Sequence, residues 1–533
     1  MMPTVAMTCI LRSATRGFAS ARPLADNPPV KSPAGATASA TPTEWQSNPV
    51  AWGLGALLVA AAALVVTSRI SFSAFYISGA AVVLVLAVLA YLRPREALIA
   101  VVFAPIVDRY LASLLIPESL HGTTNFLSES LLVLVGFSVL VRGIRDRTLV
   151  AALRHPVVYV LAAFAVVCGI SAIVNGVPPL VAAGGVAFTI EAATLFVLPR
   201  VLRFSTREGL IAAVGLTALA TVAALLALGQ VLLDPAFLGL ESISGRFAEG
   251  NRIAAFLVNP NMLGVVLAIG TPFPLIASVR ADDPRVRWAA RISTFLIVLA
   301  LFYTFSRGAW LGLAVAMLGV GLILDRRALL SLIAMAALAY GAALVLPRHV
   351  LSAEPEPEFD VGRAIGGRFD SFGAGNDLRL LFIQNALPII ADHPVVGAGP
   401  GRYGGSVAAR LGSPLYERYT AGRVPVDRTV DNFWLHLLVE SGVVGVTIFG
   451  SALLLALREM LVTGRRLVGW DRALLASACV IAVVVAIDSL VEMLLEGNTT
   501  SFAMYFFLGV GSAIAARPAV SVHEAAPLAA ARA

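Results

Sequence analysis

Long apolar runs separated by short polar loops dominate the chain, and runs of about 20 residues are long enough to cross a bilayer. The runs are continuous rather than alternating. Lipid admits only helices or closed barrels, so the spans are read as helices. About fourteen runs qualify by length: 50–68, 72–92, 96–116, 126–141, 156–174, 180–199, 208–233, 253–279, 288–305, 308–324, 328–346, 432–462, 472–491 and 501–516. One hydrophilic stretch, residues 347–431, interrupts the series. The pattern predicts an all-α polytopic membrane protein with a bundle of about eleven helices over 49–346 and a second of about three over 432–516.

Charge supplies the orientation. Basic residues cluster at Arg93–Arg95, Arg142–Arg154, Arg200–Arg207, Arg280–Arg291, Arg326–Arg327 and Arg465–Arg472, after every second predicted span. Arginine-rich short loops face the cytoplasm. The 347–431 loop is then extracytoplasmic, and the tails at 1–48 and 517–533 are cytoplasmic. Residues 1–48 are rich in Ala, Pro, Ser and Thr, which predicts disorder. Their Arg12, Arg16 and Arg22, with no acid before Asp26, also fit a transit peptide.

Composition narrows the choice further. The chain is 58% hydrophobic and 13% charged, with a formal charge of +7. The basic residues are spread over loops and make no single face, which argues against nucleic acid as a partner. Cys9, Cys168 and Cys479 have no metal-ligand spacing, and none lies in the large loop. No metal or cofactor is expected.

Chemistry that needs charge outside the lipid must come from the large loop and the helix mouths around it. Arg307 lies in Thr304-Phe305-Ser306-Arg307-Gly308, a predicted outer hairpin where positive charge is disfavoured. It is a site residue or a snorkelling interface arginine. Arg246 and Arg252 occupy another outer connection. Asn259-Pro260-Asn261 follows and reads as an interruption of the next helix, either a functional break or a simple kink. Arg379 opens an amphipathic helix within the loop, which Pro388 bends or ends, and a tight Gly397-to-Gly401 turn follows. Converging arginines suit a diphosphate, because guanidinium makes bidentate, charge-assisted bonds to phosphate oxygens.

Asp431-Asn432 precede the post-loop helix, which Gly442-Val443-Val444-Gly445 closes. Asp431 is a general-base candidate or an N-cap. Glu440 lies deeper and is either part of the site or paired inside the bundle. On 3.6-residue geometry His436 sits about 140° around the helix from Asp431, which argues against a shared role.

At these residues the chain resembles the O-antigen ligase and polymerase family of bacterial membrane glycosyltransferases. The matching segments are Gly245-Arg246 through Asn259-Pro260-Asn261-Met262-Leu263-Gly264, Thr304 to Trp310, Arg379 through Asp392-His393-Pro394 to Gly401, and Asp431-Asn432 through Gly445. The resemblance implies a C-type glycosyltransferase fold and glycan transfer from undecaprenyl diphosphate to a glycan or lipid acceptor on the outer face. It implies no metal and no nucleotide sugar. It assigns Arg307, Arg379, Arg246 and Arg252 to the diphosphate. The family's ligases carry a histidine where this chain has Asp431, which leans the reading toward a polysaccharide polymerase. A ligase proper, or a transporter of anions or lipid-linked sugars, is the alternative. Membrane lipid and other polysaccharide-assembly proteins complete the expected partners.

Overall fold

The computed structural model describes residues 72–106, 126–233, 252–257, 259–345, 378–420, 429–496 and 498–517. All regular elements among them are helices. Among the described residues eight helices are long and apolar enough to cross a membrane, and four shorter apolar helices accompany them. Large apolar side chains on these spans point outward, as with Ile173 (83% exposed) and Leu180 (82% exposed). That exposure suits lipid and not water, and the chain is a multi-pass, all-helical membrane protein. The predicted span 50–68, the end of 96–116, Arg246, the whole 347–377 stretch, residues 518–533 and the tail 1–48 lie outside the described residues.

The chain forms two compact units. One comprises residues 1–138, 211–306 and 327–361; the other comprises 139–210, 307–326 and 362–533. In the first, helices Phe72–Leu92 and Pro94–Ile106 pack together, and Ser138 Oγ donates to the Ala90 carbonyl at 2.8 Å. Helices Pro260–Gly270 and Pro272–Arg280 lie against Pro284–Thr304. Gly270 allows the close approach of Ala220, since a Cβ there would lie 2.3 Å from the alanine methyl.

The expected span 253–279 begins later than its apolar pattern suggests. Residues 252–257 are non-helical, and the helix starts at Pro260. Asn259 caps it, accepting from Asn261 N at 2.8 Å. Pro260 takes the first helical position, where its missing N–H costs nothing. Asn259-Pro260-Asn261 is therefore the start of the helix and not an interruption within it.

In the second unit, Pro156–Val174 packs along Phe433–Arg466, Arg307–Ile323 along Gly469–Asp488, and Asn498–Ala515 against Gly469–Asp488 and Thr194–Val201. The expected span 180–199 is divided into Pro179–Ile190, a single 3-10 turn at Glu191–Ala193, and Thr194–Val201. Within the large loop, helices Leu378–Asp392, Ser406–Leu411 and Pro414–Thr420 surround a small core of Phe382, Ile389, Tyr403, Leu415 and Tyr416. Pro388 sits inside the first of these helices without ending it.

Candidate functional site

The Phe433–Arg466 helix is broken at Gly442, whose backbone is non-helical at φ 65°. Instead of closing the helix, Gly442-Val443-Val444-Gly445 kinks it, and helix resumes to Arg466. The groups freed by the kink are met by the glycine-rich turn. Val443 N donates to Pro394 O at 3.0 Å and Val444 N to Val395 O at 3.2 Å. In return Ala398 N donates to Val439 O at 2.8 Å and Gly399 N to Glu440 O at 3.1 Å. Irregular backbone at membrane depth persists where protein satisfies it. The two glycines permit the contact: a Cβ at Gly442 would lie 2.3 Å from Val395 O, and one at Gly397 would lie 2.4 Å from Glu440 O. Ser171 and Asn175, at the end of the Pro156–Val174 helix, complete the junction by donating to Gly397 O at 3.3 and 2.9 Å.

Buried carboxylates hold the rest of the turn. Glu440, 3% exposed, accepts from Gly401 N at 2.8 Å and from Tyr403 N at 2.7 Å. It lies 3.7 Å from His436 Nδ1. That nitrogen also faces the Tyr403 carbonyl, an oxygen that only accepts, so Nδ1 carries the proton. Glu496, 7% exposed, accepts from Ser406 N at 2.7 Å. Both carboxylates are thus committed to the fold of residues 401–406. Tyr403 OH donates to Phe382 O at 2.7 Å, and Tyr416 OH accepts from Gly404 N at 2.7 Å. Burial pushes the Tyr416 hydroxyl up to about 12 and raises Tyr403 as well.

The N-cap ahead of this helix is Asn432, which accepts from Leu435 N at 2.9 Å. The cap alternative for Asp431 therefore falls. Asp431 is half-buried and precedes the cap. Helical spacing does not apply between it and His436, so the 140° argument that separated them falls too. Phe433 N donates to Ser489 O at 2.9 Å, and Trp434 Nε1 to Ala486 O at 2.9 Å. The same 486–489 segment receives the start of the Arg307–Ile323 helix, because Gly308 lies against the carboxylate of fully buried Asp488. Arg307, the first residue of its helix, and Asp431, two residues before Phe433, are thus close in sequence to residues that meet one helix end. Arg379 is the second residue of the Leu378–Asp392 helix.

Arg252 and Asn261 meet in the other unit. Arg252 Nε donates to Thr304 O at 2.8 Å, and its Nη2 donates to Asn261 Oδ1. The loop between them is tied down by Ala255 N, which donates to Gln230 Oε1 at 2.9 Å. Thr304 ends its helix in a left-handed turn at Phe305, φ 50°.

A model of the O-antigen ligase family matches residues 292–450. Over this stretch the chain is similar to the O-antigen ligase family. The matched segment contains Arg307, Arg379, Asp431, Asn432 and Glu440, together with the turn and the kink just described. Arg252 and Asn261 precede it, and Glu496 follows it. No curated protein matches the chain. That similarity, on apolar helices, supports a glycosyltransferase-like membrane enzyme of polysaccharide biosynthesis, with lipid-linked glycan and acceptor as the general substrates. Sequence reasoning missed Glu496 and Arg402. Glu496 sits in a short connection between helices and meets Ser406 only through the tertiary fold, whereas Arg402 adjoins the glycine turn and shared the charge argument that picked out Arg307.

Proposed function

We propose that the protein transfers a glycan from undecaprenyl diphosphate to an acceptor hydroxyl on the outer face of the inner membrane, as a polysaccharide polymerase. The observation that carries this reading is the common anchor on residues 486–489 of Gly308, which follows Arg307, and of Phe433, two residues after Asp431. It supports pairing a cation at a helix start, where the backbone dipole also favours an anion, with a carboxylate ahead of a neighbouring helix. In this mechanism Asp431 takes the proton of the acceptor hydroxyl. The oxygen attacks the anomeric carbon, the bond to the diphosphate breaks, and the anomeric configuration inverts. Arg307, with Arg379, stabilises the departing diphosphate, a charge for which guanidinium needs no metal ion. Asn261 holds Arg252, and Asn432 fixes the helix start beside Asp431.

The test uses purified protein and a polyprenyl-diphosphate-linked repeat unit. A product ladder with no added acceptor supports the polymerase. Transfer only after a separate acceptor is added means a ligase, and no product in either case moves the reading to transport. Arg307→Ala should lower the rate by about a hundredfold or more at unchanged expression and folding. Wild-type rates from that variant would remove the mechanism.

A further inference from the structure

Side chains from elsewhere in the same unit hold the backbone polar groups of Gly401 to Ser406. Glu440 accepts from Gly401 N and Tyr403 N, and His436 donates to Tyr403 O. Ser413 Oγ donates to Arg402 O. Tyr416 OH accepts from Gly404 N and Glu496 from Ser406 N. A buried network of this kind fixes one conformation, at the cost of burying two carboxylates. Burial of apolar side chains does not account for it, because Gly401, Gly404 and Gly405 have none.

What the turn presents is Arg402. Its side chain is half-buried, while Tyr403 beside it is fully buried. Its Nη1 donates to the Asn175 carbonyl at 3.3 Å, and among the described residues no carboxylate pairs with it. A guanidinium offers five N–H donors in a fixed fork. One neutral carbonyl on one arm orients that fork without neutralising it. A buried scaffold, an oriented fork and a charge with no acid paired to it among the described residues suit oxyanion recognition.

We propose that Arg402 is an oxyanion-binding residue of the transferase site, presented by the turn that Glu440 and Glu496 hold. The proposal rests on the transferase reading and extends it to a residue outside the arginines assigned to the diphosphate. The oxyanion is a phosphate of the lipid carrier or a carboxylate of an acidic glycan, which offer the fork the same chemistry.

The experiment measures binding by the full-length protein in nanodiscs. One probe is a polyprenyl diphosphate, with the polyprenyl alcohol as its control. The other is an oligosaccharide bearing uronic acid carboxylates. Arg402→Gln should weaken binding of one charged probe by about tenfold or more, because a charge-assisted bond is lost. Arg402→Lys should fall between that variant and wild type, since it keeps the charge and loses the fork. A loss confined to the diphosphate identifies the carrier as the source, and a loss confined to the oligosaccharide identifies the glycan. Should Arg402→Gln unfold, Arg402→Lys alone carries the comparison. Unchanged affinity for both probes, or a wild type that binds neither, overturns the proposal. Product formation by the wild type judges the transferase reading separately, so a productive wild type with an indifferent Arg402→Gln sinks only the role of Arg402.

Discussion

Asn259 and Asn432 each cap a helix that follows a loop, but the polar groups beside them work in opposite directions. At the first mouth, neutral oxygens of Asn261 and Thr304 hold a side-chain cation, Arg252. At the second, the buried carboxylates Glu440 and Glu496 hold backbone N–H groups. The first arrangement aims a charge and leaves the backbone to the cap and to Gln230. The second makes the backbone itself depend on buried charge. A substitution at the first mouth should therefore be felt in substrate handling, and one at the second in the fold.

The largest expected effect tests that division. Glu440→Leu strips the acceptors from Gly401 N and Tyr403 N in a buried setting. Each orphaned donor costs about 1–3 kcal/mol, so the turn should open at a markedly lower temperature. Glu440→Gln keeps one acceptor oxygen and should lose less. Asn261→Ala should leave the unfolding temperature nearly unchanged, because Arg252 is half-buried and retains Thr304 O, while donor KM rises. Thermal unfolding of the three variants in one detergent makes the comparison. Equal losses from Asn261→Ala and Glu440→Leu would erase the distinction between the mouths.

Much of the bundle was legible because apolar length alone marks a span. The runs 72–92 and 156–174 coincide with helices Phe72–Leu92 and Pro156–Val174. The mouths were harder for two different reasons. At Asn259 the signal was local and available: a capping residue followed by proline marks a helix start. The apolar residues 253–257 masked it by extending the run backwards. At Gly442 no local pattern could suffice, because residues 394–399 satisfy the kink from another part of the chain. Glu440 posed a third kind of problem. A carboxylate in an apolar helix suggests chemistry by default, and only the positions of Gly401 N and Tyr403 N give it a backbone to hold. Asp431 was ambiguous between base and cap until Asn432 took the cap.

The caps provide the control. Asn259 and Asn432 do the same work, so Asn259→Ala and Asn432→Ala should each cost about 1 kcal/mol. Their shifts in unfolding temperature should be alike, in contrast to the pair above. A cost at Asn432 several times that at Asn259 would mean that the second mouth depends on its cap as well as on its carboxylates.

The smallest effect at ordinary pH concerns Tyr416. Its hydroxyl accepts from Gly404 N, and burial raises it from 10.0 to about 12. A group whose folded pKa is raised contributes stability that is fully present below its unfolded value and is lost as pH rises through the folded one. The turn should therefore be indifferent to Tyr416 ionisation below pH 10 and should loosen between pH 10 and about 12. Limited proteolysis of residues 401–420 across that range reads the loss directly. Burial raises Tyr403 in the same sense, so Tyr416→Phe should reduce the alkaline loosening without abolishing it. An unchanged alkaline profile in Tyr416→Phe would mean that the phenol plays no part in the clamp, leaving the carboxylates to hold the turn.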